Sequence, residues 1–459
     1  MLFSSLEFIF LFLPITVAVY YIAPSRLKNA VLFVSGMVFY AFGEIGLLPI
    51  FLLTVALDFG FGLIIEKCRS NRRLARVLLA LAVIFNLSLL GYFKYFDFFR
   101  ESVLRLSPIG ITLPVGISFY TFQALSYVID VYRGEVSATK SIISFGAYIA
   151  LFPQLIAGPI VRYSDVDRQL RERSVTPTLI ANGLRRFICG LAKKVVLANS
   201  AGELFEYFSI SESYLGAFLT VLLFGMQIYF DFSGYSDMAI GLGRMLGFEF
   251  VENFNYPYIS RSVSEFWRRW HISLSTFFKE YVYIPLGGSR RGRARTVINL
   301  LIVWSLTGLW HGAAWSFILW GAYFALLLII EKMLLSKFIE RAPKALLHIY
   351  SLFFIFLGWL IFASDGVTLA TGEGISVLSR LFFITPASFA EKHELFILLG
   401  ALPFIFALII GSTPLPKRIY FYIASRVPLF EVVFPLFAFA ISLAYIVSSG
   451  YNPFLYFRF

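Results

Sequence analysis

The sequence predicts an all-α protein that crosses a membrane many times, and three observations lead to this prediction. Of the 459 residues, 59% are hydrophobic and only 14% are charged, whereas a soluble domain usually has about 25% charged residues. The mean hydropathy is +0.79. Apolar runs of about 20 residues, the length that crosses the hydrocarbon core of a bilayer, recur along the chain. This composition excludes a soluble enzyme, a disordered protein and a nucleic-acid-binding protein.

The apolar runs predict about eleven or twelve membrane-embedded segments within a single domain, residues 1–459. The first run, residues 6–23, lacks the basic start and the small-residue cleavage site of a secretory signal, so we expect it to be retained. Prolines and glycines predict that some segments are broken or re-entrant, as at Pro114 and Pro153. The other candidate segments are residues 29–45, 46–65, 74–93, 110–131, 141–160, 213–232, 296–310, 312–331, 346–363, 394–411 and 430–448.

Basic loops predict the orientation of the chain, because Lys and Arg accumulate on the cytoplasmic side of a membrane. Residues 67–76 contain five basic residues and no acidic one, and residues 290–295 contain four basic residues. Residues 332–344 also contain four. Counting spans from these three loops places both termini and the loop 364–393 on the extracytoplasmic side.

The region between residues 160 and 295 is too polar for a simple helical bundle. A basic amphipathic helix is predicted over residues 178–198, where it either binds anionic lipid or docks a phosphorylated substrate, two compatible roles. Asp231 lies among apolar residues, where a carboxylate is costly and usually faces a cavity. It could hold an ion, cap a broken helix or pair with an arginine. A further helix is predicted to begin near Ser264 and to carry His271.

His311 is the strongest candidate for a reactive residue. It lies in an apolar stretch with no charged residue from 296 to 330, and a lone ionisable group at membrane depth is a functional candidate by default. An apolar site favours the neutral imidazole, which can accept a proton from a hydroxyl or thiol group during acyl transfer. The alternative is a structural histidine that is buried, neutral and hydrogen-bonded to a carbonyl group.

Tryptophans and small residues are concentrated near this histidine. All seven tryptophans of the chain follow residue 266, and four of them are predicted to surround His311 as the wall of a pocket, namely Trp304, Trp310, Trp315 and Trp320. Small neighbours such as Gly308 and Gly312 are predicted to leave room for a substrate. No helical H-E-x-x-H motif and no cysteine cluster supports a metal site, so no metal is predicted.

Several runs of this sequence resemble the membrane-bound O-acyltransferase family, and most closely its alginate O-acetyltransferase branch. The similar pieces are densest between residues 110 and 321. The N-terminal MLFSSLEFIFLFLPI and the C-terminal NPFLYFRF also resemble that branch. The four runs that carry the resemblance are LFPQLIAGPIVRYSD (151–165), DFSGYSDMAIGLGRMLGFEFVENFNYPY (231–258), FWRRWHISLSTFFKEYVYIPLGG (266–288) and TGLWHGAAWSFILWG (307–321).

The resemblance implies a ring of membrane helices, with re-entrant and amphipathic segments, around a central tunnel. It implies that the W-H-G histidine, His311, is catalytic and that the W-R-R-W-H histidine, His271, is a second functional residue. Members of this branch are thought to move an acetyl group from cytoplasmic acetyl-CoA to an extracytoplasmic partner of the SGNH-hydrolase type, or to a polysaccharide hydroxyl group. Acetyl-CoA is then a substrate, no bound cofactor is expected, and the implied location is the bacterial inner membrane.

The resulting hypothesis gives each histidine a role. His311 acts as the general base on the acceptor, and His271 orients the acyl donor or hydrogen-bonds the developing oxyanion. The CoA phosphates are predicted to bind basic residues on the cytoplasmic side. The weaker substrate-binding candidates are Trp267, Trp310, Trp315, Asp231, Arg290, Arg291 and Arg293.

Three alternatives stay open. The D-alanyl transfer branch of the same family shares both histidine motifs but takes its acyl group from a carrier protein; the C-terminal NPFLYFRF and the loop 364–393 favour O-acetylation. A transporter with ion sites at Asp231 and Asp237 would show inverted repeats with paired broken helices, which the sequence lacks. A lipid-modifying acyltransferase would act on a lipid or a protein.

Overall fold

A computed structural model describes residues 1–363, 373–449 and 455 of the chain. The described residues form helices, turns and loops, with no β-strand among them. The chain divides into two compact units, the first made of residues 1–187 and 235–252, the second of residues 188–234 and 253–459. The predicted all-α class is therefore confirmed.

The first eleven α-helices account for nearly all of the first unit and reach into the second. In chain order they are α1 (Leu13–Ile22), α2 (Lys28–Glu44), α3 (Leu48–Lys67), α4 (Arg72–Ser102), α5 (Ile117–Arg133), α6 (Ile142–Ile149), α7 (Phe152–Leu155), α8 (Tyr163–Arg171), α9 (Pro177–Ala192), α10 (Asn199–Ser209) and α11 (Tyr214–Met245).

The remaining α-helices belong to the second unit. In chain order they are α12 (Val263–Arg269), α13 (Ile272–Phe278), α14 (Arg293–His311), α15 (Trp315–Ile330), α16 (Ser336–Arg341), α17 (Lys344–Ala363), α18 (Glu373–Leu381), α19 (Lys392–Gly411), α20 (Leu415–Arg426) and α21 (Phe430–Ser448).

Seven helical stretches within the described residues are long and apolar enough to cross a membrane, judged by length and composition. The predicted candidates 29–45 and 46–65 fall together in the first of these stretches. A shorter apolar helix, Phe8–Ile22, corresponds to the candidate 6–23. The seven stretches are Ser25–Lys67, Arg72–Ser102, Tyr214–Met245, Trp315–Arg341, Lys344–Ala363, Lys392–Gly411 and Phe430–Ser448.

The prediction of broken segments is confirmed in the first unit. Residues 141–160 form two short helices, α6 and α7, separated by Ala150 and the extended residue Leu151. Pro153 lies in the first turn of α7, and a proline has no N–H group with which to continue a preceding helix, which accounts for the break. The candidate 110–131 becomes helical only at Ile117, after Gly116 with its φ of 73°. A φ in this left-handed range favours glycine.

Helix α11 is longer than the sequence predicts. The candidate span 213–232 continues without a break to Met245 as a helix of 32 residues. Its apolar window is 83% buried, compared with 11% for α21. A helix surrounded by protein can hold polar side chains, because protein groups rather than lipid tails lie next to them. The predicted amphipathic helix over 178–198 is also present, as α9 and the π-helical turn Lys193–Ala198 that follows it.

The second unit has an aromatic core to which α11, α12, α14, α15 and α17 contribute. Helices α14 and α15 approach closely at two glycines. A Cβ atom on Gly308 would lie 2.4 Å from the carbonyl oxygen of Phe317, and one on Gly321 would lie 2.5 Å from that of Trp304. Small residues at such crossings allow two backbones to pack tightly.

Two predicted features lie partly outside the described residues. They are the loop 364–393, of which residues 364–372 are not described, and the C-terminal run, of which Leu455 is described. Within the loop, α18 is helical and Tyr214 donates its backbone N–H to the carbonyl oxygen of Ser388, at 3.1 Å.

Candidate active site

The first candidate histidine lies at a break between two short helices. Helix α12 begins after Ser262, whose Oγ accepts the backbone N–H of Glu265 at 2.9 Å, the usual arrangement of a serine N-cap. It ends before Trp270, and α13 begins at Ile272. His271 itself has a φ of 44°, so the single helix predicted to carry it is divided at this residue. Only the start near Ser264 agrees with the prediction.

A buried carboxylate fixes the start of α12 from another helical element. Glu331, which follows α15 and is 3% exposed, accepts the backbone N–H of Val263 at 2.6 Å and that of Ser264 at 2.8 Å. The hydroxyl group of Tyr350 donates to the same carboxylate at 3.2 Å. An anion at a helix N-terminus satisfies donors that have no partner inside the helix. Glu331 could not be recognised from the sequence, because its backbone partners on α12 lie 68 and 67 positions earlier in the chain.

His271 is held by a polar group on an otherwise apolar wall. Its Nδ1 atom lies 3.1 Å from the Oδ1 atom of Asn253, and the Ser273 hydroxyl group donates to that same Oδ1 atom at 2.9 Å. The imidazole also makes an edge contact with Phe232, with ring centroids 4.7 Å apart. His271 lies outside the seven apolar stretches, and burial lowers its pKa from 6.5 to about 3. The ring is therefore neutral near pH 7.

The second candidate histidine, His311, is the last residue of α14 and is followed by the extended residue Gly312. Its ring is buried among aromatic side chains, as the tryptophan cluster in the sequence predicts. The centroid distances are 5.0 Å to Trp310, 5.0 Å to Trp320 and 5.3 Å to Phe362. His311 is thus an ionisable residue inside an aromatic cluster, a setting that disfavours the charged form of an imidazole.

Both histidines contact the same indole ring. Trp310 lies 5.7 Å from His271 and 5.0 Å from His311, centroid to centroid. The sequence places the two histidines 40 positions apart and leaves their meeting open. The structure brings both rings against one buried side chain, so the two histidines are close enough to serve one site.

The predicted tryptophans differ in their surroundings. Trp267 packs in the core of the second unit against Trp304 and Trp320, with centroid distances of 4.6 and 5.4 Å. Trp315 begins α15 and is 63% exposed. Trp359 of α17 also joins the cluster, 4.6 Å from Trp270. Sequence reasoning missed Trp359 because it lies outside the tryptophan-rich stretch.

The space predicted beside the small residues near His311 is filled. The ring of Phe317 would lie within 2.2 Å of a Cβ atom on Gly312, and its carbonyl oxygen lies against Gly308. These two glycines therefore allow close packing of α15, and the prediction that they leave room for a substrate is wrong. The basic candidates Arg290, Arg291 and Arg293 are exposed before and at the start of α14.

Asp231 forms a buried ion pair in the second unit. Its Oδ1 atom lies 2.9 Å from the Nζ atom of Lys194, and both side chains are almost fully buried. Lys194 also donates to the Oδ1 atom of Asn199 at 2.8 Å, and the backbone N–H of Leu455 donates to Asp231 at 2.9 Å. Of the three roles considered for Asp231, pairing with a basic residue is present, with a lysine in place of an arginine.

Asp237, the second ion site of the transporter alternative, is also paired with a basic residue. In the first unit, Arg186 donates to Asp237 through Nε at 2.9 Å and through Nη2 at 2.8 Å. The same guanidinium group also pairs with Glu252. Over the part of the chain that the structure describes, no group of three or more His, Cys, Asp or Glu side chains is arranged to hold a metal ion.

Comparison with known proteins identifies the class to which this fold and site belong. The sequence profile of the membrane-bound O-acyltransferase family matches residues 87–371. The probable alginate O-acetylase AlgI of Azotobacter vinelandii is 43% identical over 381 residues, which covers 81% of this chain and 76% of that protein. The chain belongs to the membrane-bound O-acyltransferase family, so the predicted resemblance is confirmed. It is a multi-pass membrane protein and an acyltransferase.

Two further relatives show how broad the similarity is. The peptidoglycan O-acetyltransferase of Helicobacter pylori is 32% identical over 515 aligned positions, which cover 100% of this chain and 98% of that protein. The teichoic acid D-alanyltransferase of Bacillus subtilis is 27% identical over 263 residues, or 54% of this chain and 66% of that protein. The similarity to the O-acetylating relatives thus extends over more of the chain than the similarity to the D-alanyl relative.

Proposed function

We propose that this acyltransferase takes an acetyl group from cytoplasmic acetyl-CoA and passes it across the bacterial inner membrane. The group then O-acetylates an extracytoplasmic polysaccharide, alginate or another cell-envelope polymer, directly or through a partner of the SGNH type. The shared contact of His271 and His311 with Trp310 supports this proposal most directly. The names of the relatives that are similar over most of the chain support acetyl transfer to a polymer.

The chemistry proceeds by attack of an acceptor hydroxyl group on the thioester carbonyl. His311 accepts the hydroxyl proton as the oxygen–carbon bond forms, and the carbon–sulfur bond of the thioester then breaks. The departing CoA thiolate takes the proton back from His311, so the imidazole is neutral at the end of the cycle. A neutral starting imidazole is required, and the aromatic surroundings of His311 favour that form.

The other predicted residues have supporting roles. Arg290, Arg291 and Arg293 are exposed and carry the positive charge that CoA phosphates need, which fits them to bind the donor. Trp310 contacts both histidines and so supports the positions of their rings. Trp267 supports the aromatic core behind this site, and Asp231 stabilises a helix through its ion pair with Lys194.

The orientation that this reaction needs is the one that the basic loops predict. The donor-binding arginines face the cytoplasm, and both termini face the extracytoplasmic side. The acetyl group, and not CoA, then crosses the membrane. The same direction of transfer would suit a partner that receives the acetyl group outside the cell membrane.

Inside-out membrane vesicles test this function. Acetyl-CoA labelled in its acetyl group is added outside, on the former cytoplasmic face, and label is followed into lumenal protein and polymer. Wild type and a His393→Ala control, altered at a 63% exposed histidine of α19, are expected to transfer label. The His311→Ala variant is expected to transfer none.

Three outcomes would contradict the proposal. Transfer by the His311→Ala variant at the wild-type rate would remove His311 from the mechanism. Transfer that requires a D-alanyl carrier protein and does not occur with acetyl-CoA would place the chain with the D-alanyl relatives. Solute uptake independent of His311 would instead favour the transporter alternative.

A further inference from the structure

We propose that Asn253 is a positioning residue that, with Ser273, holds His271 as the tautomer protonated at Nδ1. Nε2 of His271 is then a hydrogen-bond acceptor and takes a hydrogen bond from an O–H or N–H group of a substrate. The role in acyl transfer rests on the proposed function, whereas the tautomer itself does not.

The orientation of the Asn253 amide group follows from a backbone contact. The backbone nitrogen of Ser273 lies 3.3 Å from one terminal atom of the Asn253 side chain, and the Ser273 hydroxyl group lies 2.9 Å from the same atom. A backbone N–H can only donate, so the atom that it meets has to be an acceptor. That atom is therefore the amide oxygen, Oδ1, and not the amide nitrogen.

The tautomer of His271 follows from the amide orientation. Nδ1 of His271 lies 3.1 Å from the same Oδ1 atom. An amide oxygen can only accept, so Nδ1 carries the hydrogen and donates it. The Ser273 hydroxyl oxygen also lies 3.4 Å from Nδ1, but its own hydrogen is donated to Oδ1 at the shorter distance of 2.9 Å. A neutral imidazole has one N–H group, and the buried ring of His271 is neutral near pH 7. The lone pair therefore lies on Nε2.

The backbone keeps this arrangement in register. The N–H of Ile272 donates to the carbonyl oxygen of Asn253 at 3.0 Å, and the N–H of Asn255 donates to that of Arg269 at 2.9 Å. These two bonds join residues 253–255 to the residues on either side of His271. The left-handed backbone of His271 then directs its ring towards Asn253, which is fully buried.

The tautomer decides between the two roles predicted for His271. Stabilising an oxyanion requires a hydrogen-bond donor, and a neutral ring protonated at Nδ1 has none to offer at Nε2. The role that remains for Nε2 of His271 is to accept a hydrogen bond from the substrate. The donor group would be either the hydroxyl group of the acceptor or an amide N–H of the pantetheine arm of CoA.

Nitrogen NMR of the full-length protein, labelled with ¹⁵N at histidine and purified in detergent, measures the tautomer directly. The chain has four histidines, and the His271→Gln variant identifies the signals of His271. The wild type is expected to show a protonated Nδ1 and an unprotonated Nε2 in this residue. A wild-type His271 protonated at Nε2 alone would overturn the proposal, whatever the enzyme's substrate.

Substitutions of Asn253 connect the tautomer with activity. Asn253→Ala is expected to give a mixture of tautomers at His271 and to lower the transfer rate about 10- to 100-fold, the range seen when the partner that orients a metal-bound histidine is lost. Asn253→Asp keeps the acceptor oxygen and should restore both the Nδ1–H signal and most of the rate. The control Asn255→Ala changes an exposed asparagine two positions away and should alter neither.

The kinetic constants identify which substrate donates to Nε2. A raised KM for acetyl-CoA in Asn253→Ala indicates the pantetheine arm, and a lowered kcat at unchanged KM indicates the acceptor hydroxyl group. Ser273→Ala, which removes a hydrogen bond to Oδ1 but not the amide group, should shift the same constant by a smaller factor. A normal rate in Asn253→Ala with a mixed tautomer would overturn the role in transfer while leaving the tautomer assignment intact.

Discussion

At the scale of single residues, the site depends on one indole ring that contacts two imidazoles. Trp310 is 4% exposed and contacts both histidines. A buried tryptophan combines a large contact area with few rotatable bonds, so it holds its neighbours at nearly constant distances. We expect the two histidines to respond together when this side chain is shortened.

Truncating Trp310 should therefore reduce transfer more than it reduces the amount of folded protein. Trp310→Ala is expected to destabilise the protein by about 3–5 kcal/mol, as for large aromatic residues in cores, and to abolish transfer. Trp310→Phe keeps a ring at the contact and should retain part of the activity. Transfer rates and unfolding temperatures in detergent measure both effects, with Phe396→Ala, at an exposed aromatic residue of α19, as the control.

The lowered pKa of His271 predicts a loss of stability in acid. Burial depresses this pKa from 6.5 to about 3, so between these values the unfolded chain binds a proton that the folded protein does not. Stability then falls as the pH decreases through this window. Unfolding temperatures measured from about pH 8 to pH 4 should drop less in His271→Gln than in the wild type. An identical pH dependence in the two proteins would contradict a depressed pKa.

The two histidines of the site could be predicted from the sequence, and their supports could not. His311 is conspicuous because no charged residue lies near it in the sequence, and His271 follows from a recognisable motif. Asn253 and Glu331 act on residues 18 and 68 positions away. Such pairings depend on how the chain turns between the partners, and a polar residue in the sequence does not reveal its partner.

At the scale of elements, α12 is a short helix whose beginning is held by a residue from outside it. Glu331 accepts two backbone N–H groups at the start of α12, and His271 follows directly after the end of this helix. A helix of only seven residues is marginal by itself, so its position depends on tertiary contacts. The carboxylate thus affects the site from the opposite end of the helix.

Removing this carboxylate should weaken both the fold and the reaction. Glu331→Ala leaves the buried N–H of Val263 and the partly buried N–H of Ser264 without their acceptor. The loss of the buried bond costs about 1–3 kcal/mol, and α12 should be displaced enough to slow transfer. Glu331→Gln retains one acceptor oxygen, so its stability and transfer rate should lie between those of Glu331→Ala and those of the wild type. Thermal unfolding and transfer assays measure these effects. Glu340→Ala, at an exposed position of α16, should behave as the wild type does.

The crossing of α14 and α15 has no room for a larger side chain at Gly308. A methyl group at Gly308 would meet the carbonyl oxygen of Phe317 at 2.4 Å, so Gly308→Ala should push the two helices apart. We expect a destabilisation of about 1–3 kcal/mol, as for other overpacked cores, and reduced transfer because His311 ends α14. Gly400→Ala, where a Cβ atom meets nothing within 4 Å, is the control for thermal unfolding.

The elements themselves could be predicted better than their lengths. Apolar runs locate α3, α17, α19 and α21 to within a few residues, because lipid-facing helices need continuous hydrophobicity. The same rule stops short in α11, which continues as a helix beyond residue 232, through Asp237, to Met245. There, the surrounding protein satisfies polar groups that a lipid-facing helix would have to exclude.

At the scale of the whole molecule, charge determines which side of the membrane each loop occupies. The basic loop 290–295 is predicted to be cytoplasmic and the loop 364–393 to be extracytoplasmic. Arg291 and Phe389 are exposed residues of these two loops. Labelling at each of these two positions therefore shows, independently of the other, which face of the membrane its loop occupies.

A labelling experiment on these two residues checks the orientation. After Cys68 and Cys189 have been replaced by alanine, Arg291→Cys should react with a membrane-impermeant maleimide in inside-out vesicles only. Phe389→Cys should react in right-side-out vesicles only, because the membrane shields the opposite face. The reverse pattern for both would invert the predicted topology, and labelling of both from one side would place the two loops on the same face.

The hydrogen bond from Leu455 to Asp231 has a consequence for the timing of folding. The donor is synthesised 224 residues after its acceptor. At usual ribosomal speeds of about 5–20 residues per second, the carboxylate waits about 10–45 s for this donor. During that interval the Lys194–Asp231 ion pair has to form, or stay hydrated, without the last N–H group. Completion of this buried cluster is therefore a late event in biogenesis. Any factor that protects the nascent chain in the membrane would have to act before Leu455 is added.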